Sequence, residues 1–247
     1  MLETHGLTKA FGALAAVDQI DLEVPRGQLT SIIGPNGAGK STLFNLISGQ
    51  LQPDQGEIRF EGEPITGRPP YELLKKGIAR SFQITNLFGG LTVAENLRLA
   101  AQAKTPRRWF LTSLDRLEKP LKIAAELLDR FELAHLAAEE ARHLSHGDQR
   151  RLEIAVCMAS RPKLLMLDEP TQGMAREETK KTDELIRKLV GAVTVLLIEH
   201  DIELVMSISD KVVVMHQGRK IAEGAPETVR RNPEVQDAYL GRMSDDA

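Results

Sequence analysis

Leu29-Thr30-Ser31-Ile32-Ile33 runs directly into Gly34-Pro35-Asn36-Gly37-Ala38-Gly39-Lys40-Ser41-Thr42, and this stretch decides the fold. Residues 29–33 read as a buried strand, and residues 40–49 as a helix that Gly49 stops. Between them, G-x-x-x-x-G-K-S is the spacing of a phosphate-binding loop. Its glycines let the backbone approach phosphate oxygens, successive N–H groups converge on them, and the dipole of the following helix favours the same negative charge. Lys40 would reach the β- and γ-phosphates and Ser41 would ligate Mg²⁺. Residues 34–42 are the expected binding segment for ATP or GTP.

Further along the chain, Leu164-Leu165-Met166-Leu167-Asp168-Glu169 is an apolar strand ending in two carboxylates. An Asp-Glu pair alone would be an ordinary strand-to-turn transition. With a phosphate loop in the same chain, Asp168 can hold Mg²⁺ through water, and Glu169 can orient and deprotonate an attacking water. Val195-Leu196-Leu197-Ile198-Glu199-His200-Asp201 repeats the design, with His200 at the polar tip, where an imidazole could donate to a γ-phosphate. Taken alone, a surface-loop histidine explains the same residue. Gln83 ends another expected strand, residues 78–82, and its amide oxygen could complete the Mg²⁺ shell.

Strand-length runs also occur at 2–9, 19–24 and 57–60, with a hairpin at 212–222 around Gln217-Gly218. Residues 92–142 read as mainly helical, broken at Pro106 and Pro120, with Leu121, Ala124, Ala125, Leu128 and Phe131 as a core-facing stripe. A charged helix at 177–190 separates two buried strands, the pattern of a parallel sheet covered by helices. The expectation is an α/β fold: a phosphate-loop NTPase (RecA-like) core, an antiparallel β subdomain and an inserted α-helical subdomain. The whole chain reads as one domain, with residues 1–85 and 150–247 as the nucleotide-binding core and 86–149 as the helical part.

Composition sets the outer limits. A 247-residue chain, 42% hydrophobic and 27% charged, can bury a substantial core. A net charge of −3 argues against general nucleic-acid binding; surface solvation accounts for Arg107-Arg108 and Arg150-Arg151. The single Cys157 allows no internal disulfide, fits a reducing cytosol and reads as core. No run approaches the roughly 20 apolar residues of a spanning helix, and residues 1–5 carry no signal-peptide pattern. The expected location is therefore the cytoplasm.

Leu144-Ser145-His146-Gly147-Asp148-Gln149 resembles the L-S-G-G-Q signature of ABC ATPases and precedes Asp168-Glu169 by a helix-length interval. Ser145 reads as a helix N-cap with Asp148 as its capping-box partner. The resemblance covers essentially the whole chain. It implies that Phe11 stacks on adenine, with Val17 more weakly at the base site, and that Gln83 is the Q-loop residue. It also implies that Glu169 is the catalytic base, His200 the switch histidine, and Ser145, His146, Gly147 and Asp148 a segment that meets ATP held by a second subunit. Lys40 joins Glu169 and His200 in the expected catalytic set; Ser41, Gln83 and Asp168 form the expected Mg²⁺ set.

Residues 79–83, 149–155, 173–174 and 238–241 are most similar to the cytosolic subunits of branched-chain amino-acid and urea or amide importers. That likeness implies ATP as substrate, Mg²⁺, a second ATPase subunit (self or paralogue), separate transmembrane permease subunits, and indirectly a solute-binding protein. It places the chain on the inner face of the cell membrane. A non-transport ABC ATPase is the alternative, usually marked by paired cassettes, a coiled coil or a basic surface, none of which is present. A kinase or GTPase switch would leave residues 144–149 unexplained, and no N-K-x-D element occurs. Three departures stand out: His146 for a small residue, Asp148 for Gln or Glu, and a 172–176 loop without the family's usual aspartate. Residues 84–91, with apolar Leu87 and Phe88, are the expected dock for a membrane subunit.

Overall fold

The computed structural model describes residues 1–81, 87–102 and 118–240. Two sheets organise it. The larger has six strands in the order β10-β9-β3-β8-β7-β6: β3 (Leu29–Ile33), β6 (Ile78–Arg80), β7 (Leu164–Asp168), β8 (Thr194–Ile198), β9 (Lys211–His216) and β10 (Arg219–Gly224). Every contact between neighbours is parallel except the β9–β10 hairpin. All residues of β3, β7 and β8 are buried, as strands covered on both faces must be. The smaller sheet is antiparallel, ordered β2-β1-β4-β5, from β1 (Leu2–Phe11), β2 (Leu14–Val24), β4 (Gln55–Phe60) and β5 (Glu63–Pro64).

Strand alternation divides the core. Leu165 and Leu167 of β7 join Val195 and Leu197 of β8 on one face of the large sheet, against the helical part of the chain. Leu164, Met166, Leu196 and Ile198 face the other way, onto Phe44, Leu46 and Ile47 of α1 (Lys40–Ile47) and the small sheet. A period of two thus lets one strand serve two hydrophobic layers.

The helical part is α3 (Val93–Gln102), α4 (Glu118–Arg130) and α5 (His146–Ala159). Val93, Leu97, Ala124, Leu127, Phe131, Leu152 and Ile154 pack in one cluster that is continuous with the sheet. Two expectations change here. Pro120 does not break α4; it lies in the first turn, where an N–H has no intrahelical partner to lose. The buried stripe is Pro120, Ala124, Leu127 and Phe131, whereas Leu121 is 51% exposed and Ala125 also faces solvent.

Helix also does not continue to residue 142. Glu132 adopts φ 56° just past α4, and the Leu133 N–H turns back to the Leu128 carbonyl, closing the helix. Short 3₁₀ turns and a Thr92–Glu140 bridge carry the chain to Ser145. Strand β6 ends at Arg80, although Ser81 N–H still donates to the Met166 carbonyl; the rest of the expected strand, including Gln83, lies outside the described residues.

Helices α2 (Pro70–Lys76), α6 (Arg176–Leu189), α7 (Ile202–Ile208), α8 (Pro226–Arg230) and α9 (Pro233–Leu240) complete the set of helices among the described residues. Of these only α6 has a long amphipathic repeat legible in the sequence. No helix among the described residues is long and apolar enough to cross a membrane.

Phe131, 1% exposed, is the largest side chain at the centre of the helical cluster. Phe131→Ala should lower stability by about 3–5 kcal/mol, read as a reduced midpoint in equilibrium urea unfolding with an unchanged slope.

Candidate active site

Strand register brings the polar tips together. Ile198 of β8 pairs with Ile32 of β3 on one side and with Asp168 of β7 on the other. The residues that follow, Gly34, Glu169 and His200, therefore emerge side by side at the carboxyl ends of three adjacent strands, where open α/β sheets bind ligands.

The loop at 34–39 is shaped by close backbone approach. A Cβ on Gly39 (φ 98°) would lie 2.1 Å from the Ala16 carbonyl oxygen, and one on Gly34 would lie 2.1 Å from that of Met215. The small sheet and β9 thus press on the loop from two sides. Gly218 N–H donates to the Ala38 carbonyl at 3.0 Å and locks the β9–β10 turn against the same loop. Helix α1 starts at Lys40 with no side-chain cap, leaving its first N–H groups directed at the cleft. Lys40 is buried, and its ammonium donates to the carbonyls of Gly34 at 2.7 Å and Pro35 at 3.1 Å.

A cleft of about 690 Å³ opens over this loop, lined by residues 36–42, by Phe11, Leu14, Ala15 and Ala16 of the small sheet, and by Glu169, His200 and Gln217. Phe11 and Leu14 are an exposed apolar pair facing each other at the tip of the β1–β2 hairpin. Val17 does not line the cleft: it is fully buried in the core, and Ala15, Ala16 and Gln217 form that wall instead.

Two carboxylates and an imidazole occupy the strand tips. Glu169 sits at φ 47°, in the left-handed region, and its N–H donates to the Ile198 carbonyl at 2.9 Å. This turns its nearly buried carboxylate towards His200, whose Nε2 lies 2.5 Å from Oε1. Asp168 is buried, and its Oδ2 meets the Arg80 guanidinium at 2.8 Å. Among the described residues no group of three or more His, Cys, Asp or Glu could enclose a metal. A Ser41 hydroxyl with one carboxylate instead suits Mg²⁺, which keeps its waters and takes most other ligands from phosphates. The two residues fit that ion.

Behind the tips lies further acid. Burial raises the Glu199 carboxyl above its usual range, opposed by hydrogen bonds from the hydroxyl and N–H of Thr171 and the N–H of His200. Asp183 on α6 is pushed from 3.8 to about 7, first by burial and then by the charges of Glu199 and Asp201. Its buried Oδ1 has no hydrogen-bond partner.

Residues 145–148 stand apart from the cleft lining. Ser145 caps α5, its Oγ accepting from Asp148 N–H at 3.1 Å and donating to Asp148 Oδ2 at 2.7 Å. The shorter aspartate meets the cap's hydroxyl, where a longer acid would reach the backbone N–H. His146 Nε2 lies 3.2 Å from the Gln172 carbonyl, tying the first residue of α5 to the turn that follows Glu169.

Arg150, expected on a solvated surface, is buried instead: it pairs with Glu153 and donates to the carbonyls of Asp168 and Pro170. Helix α5 thereby grips the turn after β7. Cys157 is half-buried, and burial raises its thiol to about 12, which disfavours the reactive thiolate.

Residues 17–172 match the ABC transporter family. The chain belongs to it. Residues 219–244 match the branched-chain amino acid ATP-binding cassette transporter family. The high-affinity branched-chain amino acid transport ATP-binding protein BraF of Pseudomonas aeruginosa is 47% identical over 250 residues, covering 98% of each chain. LivG of Escherichia coli, named for the same transport, is 43% identical over 256 residues with the same coverage. The ADP conformation of MJ1267, an ATP-binding cassette of an ABC transporter, superposes with a TM-score of 0.86 at 33% identity over 98% of both chains. The ABC ATPase fold, a RecA-like core with an antiparallel sheet and an inserted helical subdomain, is thus the fold of this chain, and ATP hydrolysis is the activity of its family.

Because the native chain holds the Asp183 proton more tightly than the unfolded chain, stability falls as pH rises from about 4 to about 7 and stays lowered above that. Asp183→Asn should therefore raise Tm at pH 8 by about 2–4 °C, the shift that relief of about 1 kcal/mol produces in a chain of this size. At pH 4 the gain should be close to nil, as checked by calorimetry at both values.

Proposed function

We propose that this ABC ATPase powers an importer of branched-chain amino acids or related small polar solutes, through membrane subunits that are separate polypeptides. The chemistry of the cleft supports the first part, and the names of BraF and LivG support the cargo. The observation that carries the hydrolytic reading is the Glu169–His200 contact at 2.5 Å beside the Lys40 loop.

In this reading the N–H groups of residues 34–42 and the Lys40 ammonium cradle the phosphates, and Phe11 stacks on the base. Ser41 and Asp168, with Gln83, hold Mg²⁺, which supplies charge neutralisation on the phosphate oxygens. Glu169 orients the attacking water and takes its proton; His200 holds that carboxylate in place and donates to the γ-phosphate. Residues 1–85 and 150–247 form the nucleotide-binding core, and 86–149 the helical subdomain. Ser145, His146, Gly147 and Asp148 complete the site of a second ATPase subunit, self or paralogue. Ser145 and His146 are exposed at a capped helix N-terminus, the right chemistry for an anion brought by another chain. The complex works on the cytoplasmic face of the cell membrane, with a solute-binding protein delivering cargo on the other side.

Glu169→Gln should slow hydrolysis about 10²–10⁴-fold while ATP affinity stays near wild type, and the variant should accumulate as an ATP-bound dimer. Near-wild-type turnover of the purified variant would remove Glu169 from the role of base.

Leu87 and Phe88 part company. Leu87 packs partly against the core, while Phe88 is 62% exposed. The loop that carries Phe88 is held by the buried Asn96, whose side chain bonds the N–H and carbonyl of Phe88 and the carbonyls of Leu91 and Thr92. A fixed, outward aromatic suits a docking helix of a membrane subunit. Phe88→Asp should keep the fold and the ATPase activity of the isolated subunit but abolish complex assembly and transport. Normal transport by the variant would eliminate this surface.

A further inference from the structure

The Arg80 guanidinium sits where three elements meet. One arm, Nη2, reaches Asp168 Oδ2 at 2.8 Å. The other, Nη1, donates to Asn45 Oδ1 and to Ser48 Oγ, each at 2.7 Å. Its centre lies 5.4 Å from the centroid of Phe44. Phe44 and Asn45 belong to α1, the helix whose first residue is Lys40, and Ser48 closes that helix. The pair is removed from water, with side chains 10% and 4% exposed.

Burying an ion pair commonly contributes little net stability, because desolvation offsets the attraction. The geometry of this one has another use. A guanidinium is a rigid planar fork, and here its arms grip two elements that must stay in register: the helix below the phosphate cradle and the strand tip that bears Asp168. With Oδ2 engaged, Oδ1 is the oxygen left for a water of the metal shell. Arg80 also ends the strand that leads to Gln83, and the adjacent Ser81 Oγ accepts from Asp168 N–H at 3.5 Å.

We infer that Arg80 is a positioning residue for the Mg²⁺ site: by clamping Asp168 to α1 it sets the orientation in which that carboxylate holds the metal shell. The inference rests on the reading of Asp168 as a metal-shell residue. It assigns Arg80 no contact with nucleotide.

The test uses the full chain with Mn²⁺ as the probe, its binding to the ATP complex followed by electron paramagnetic resonance of the free ion. Arg80→Ala should weaken Mn²⁺ binding about 10–100-fold, as loss of an outer-shell partner does. In EDTA its ATP affinity should stay near wild type, since Phe44, Asn45 and Ser48 lie beyond the cradle residues 34–42; kcat should fall with little change in KM for ATP. Arg80→Lys keeps the charge but cannot fork between Asp168 and α1, so its Mn²⁺ affinity should be intermediate. This variant carries the test if the alanine substitution does not fold.

Wild-type Mn²⁺ affinity in folded Arg80→Ala, or in Arg80→Lys, would overturn the inference. Asp168→Asn separates the two levels. If it loses Mn²⁺ affinity while the Arg80 variants do not, only the clamp fails. If Asp168→Asn also binds Mn²⁺ normally, the reading of Asp168 fails, and the clamp with it.

Discussion

Ile198 has Ile32 on one side and Asp168 on the other, and the geometry of the site follows from that register. A one-residue slip of a strand would turn its core face to the opposite side. In β7 such a slip would move Asp168 out of its place against Arg80 and put a neighbouring residue there instead. The register is secured by layers on both faces of the sheet, since each of these strands feeds two hydrophobic clusters at once. The functional precision of a few polar tips is in this sense a property of the apolar residues behind them.

What could be read from the sequence was what is local. The glycines at 34, 37 and 39 carry their reason in their spacing, and the buried strands at 29–33, 164–168 and 194–198 show as short apolar runs before polar tips. The Gln217-Gly218 hairpin was equally legible, and both residues adopt positive φ. The helical stretch is less legible, because residues 131–145 have no period and because the exposed Leu121 looks like core in one dimension. Nothing local places Val17 in the core, because register irregularities in the β1–β2 ladder set which face each residue takes, and Ala15 and Ala16 face the cleft instead. The Arg80–Asp168 and Arg150–Asp168 contacts join parts of the chain far apart in sequence, and no local pattern announces them.

Acidic side chains gather behind the Glu169 end of the cleft. Glu199, Asp183 and Asp201 cluster there, and the charges of Glu169 and Asp201 help hold Glu199 and Asp183 off their ordinary ionisation. Glu199 is satisfied by Thr171 and His200 together, so it ties the turn after Glu169 to the loop that carries His200. His146 reaches the same turn from the other side through Gln172. The turn at 170–173 is thus held by α5, through both His146 and Arg150, and by the tip of β8, and a shift in either element is felt beside Glu169.

The hydrogen bond from Gly218 to Ala38 bears on how the protein is made. The phosphate loop leaves the ribosome long before the β9–β10 hairpin that buttresses it. Chains fold slowly when their stabilising contacts are distant in sequence, and domains tend to fold as units during synthesis. An unfinished chain would carry the loop without its support, so ATP should gain purchase on the nascent protein only once the β9–β10 hairpin has left the exit tunnel. Nucleotide binding would then report that the β9–β10 hairpin has docked on the loop.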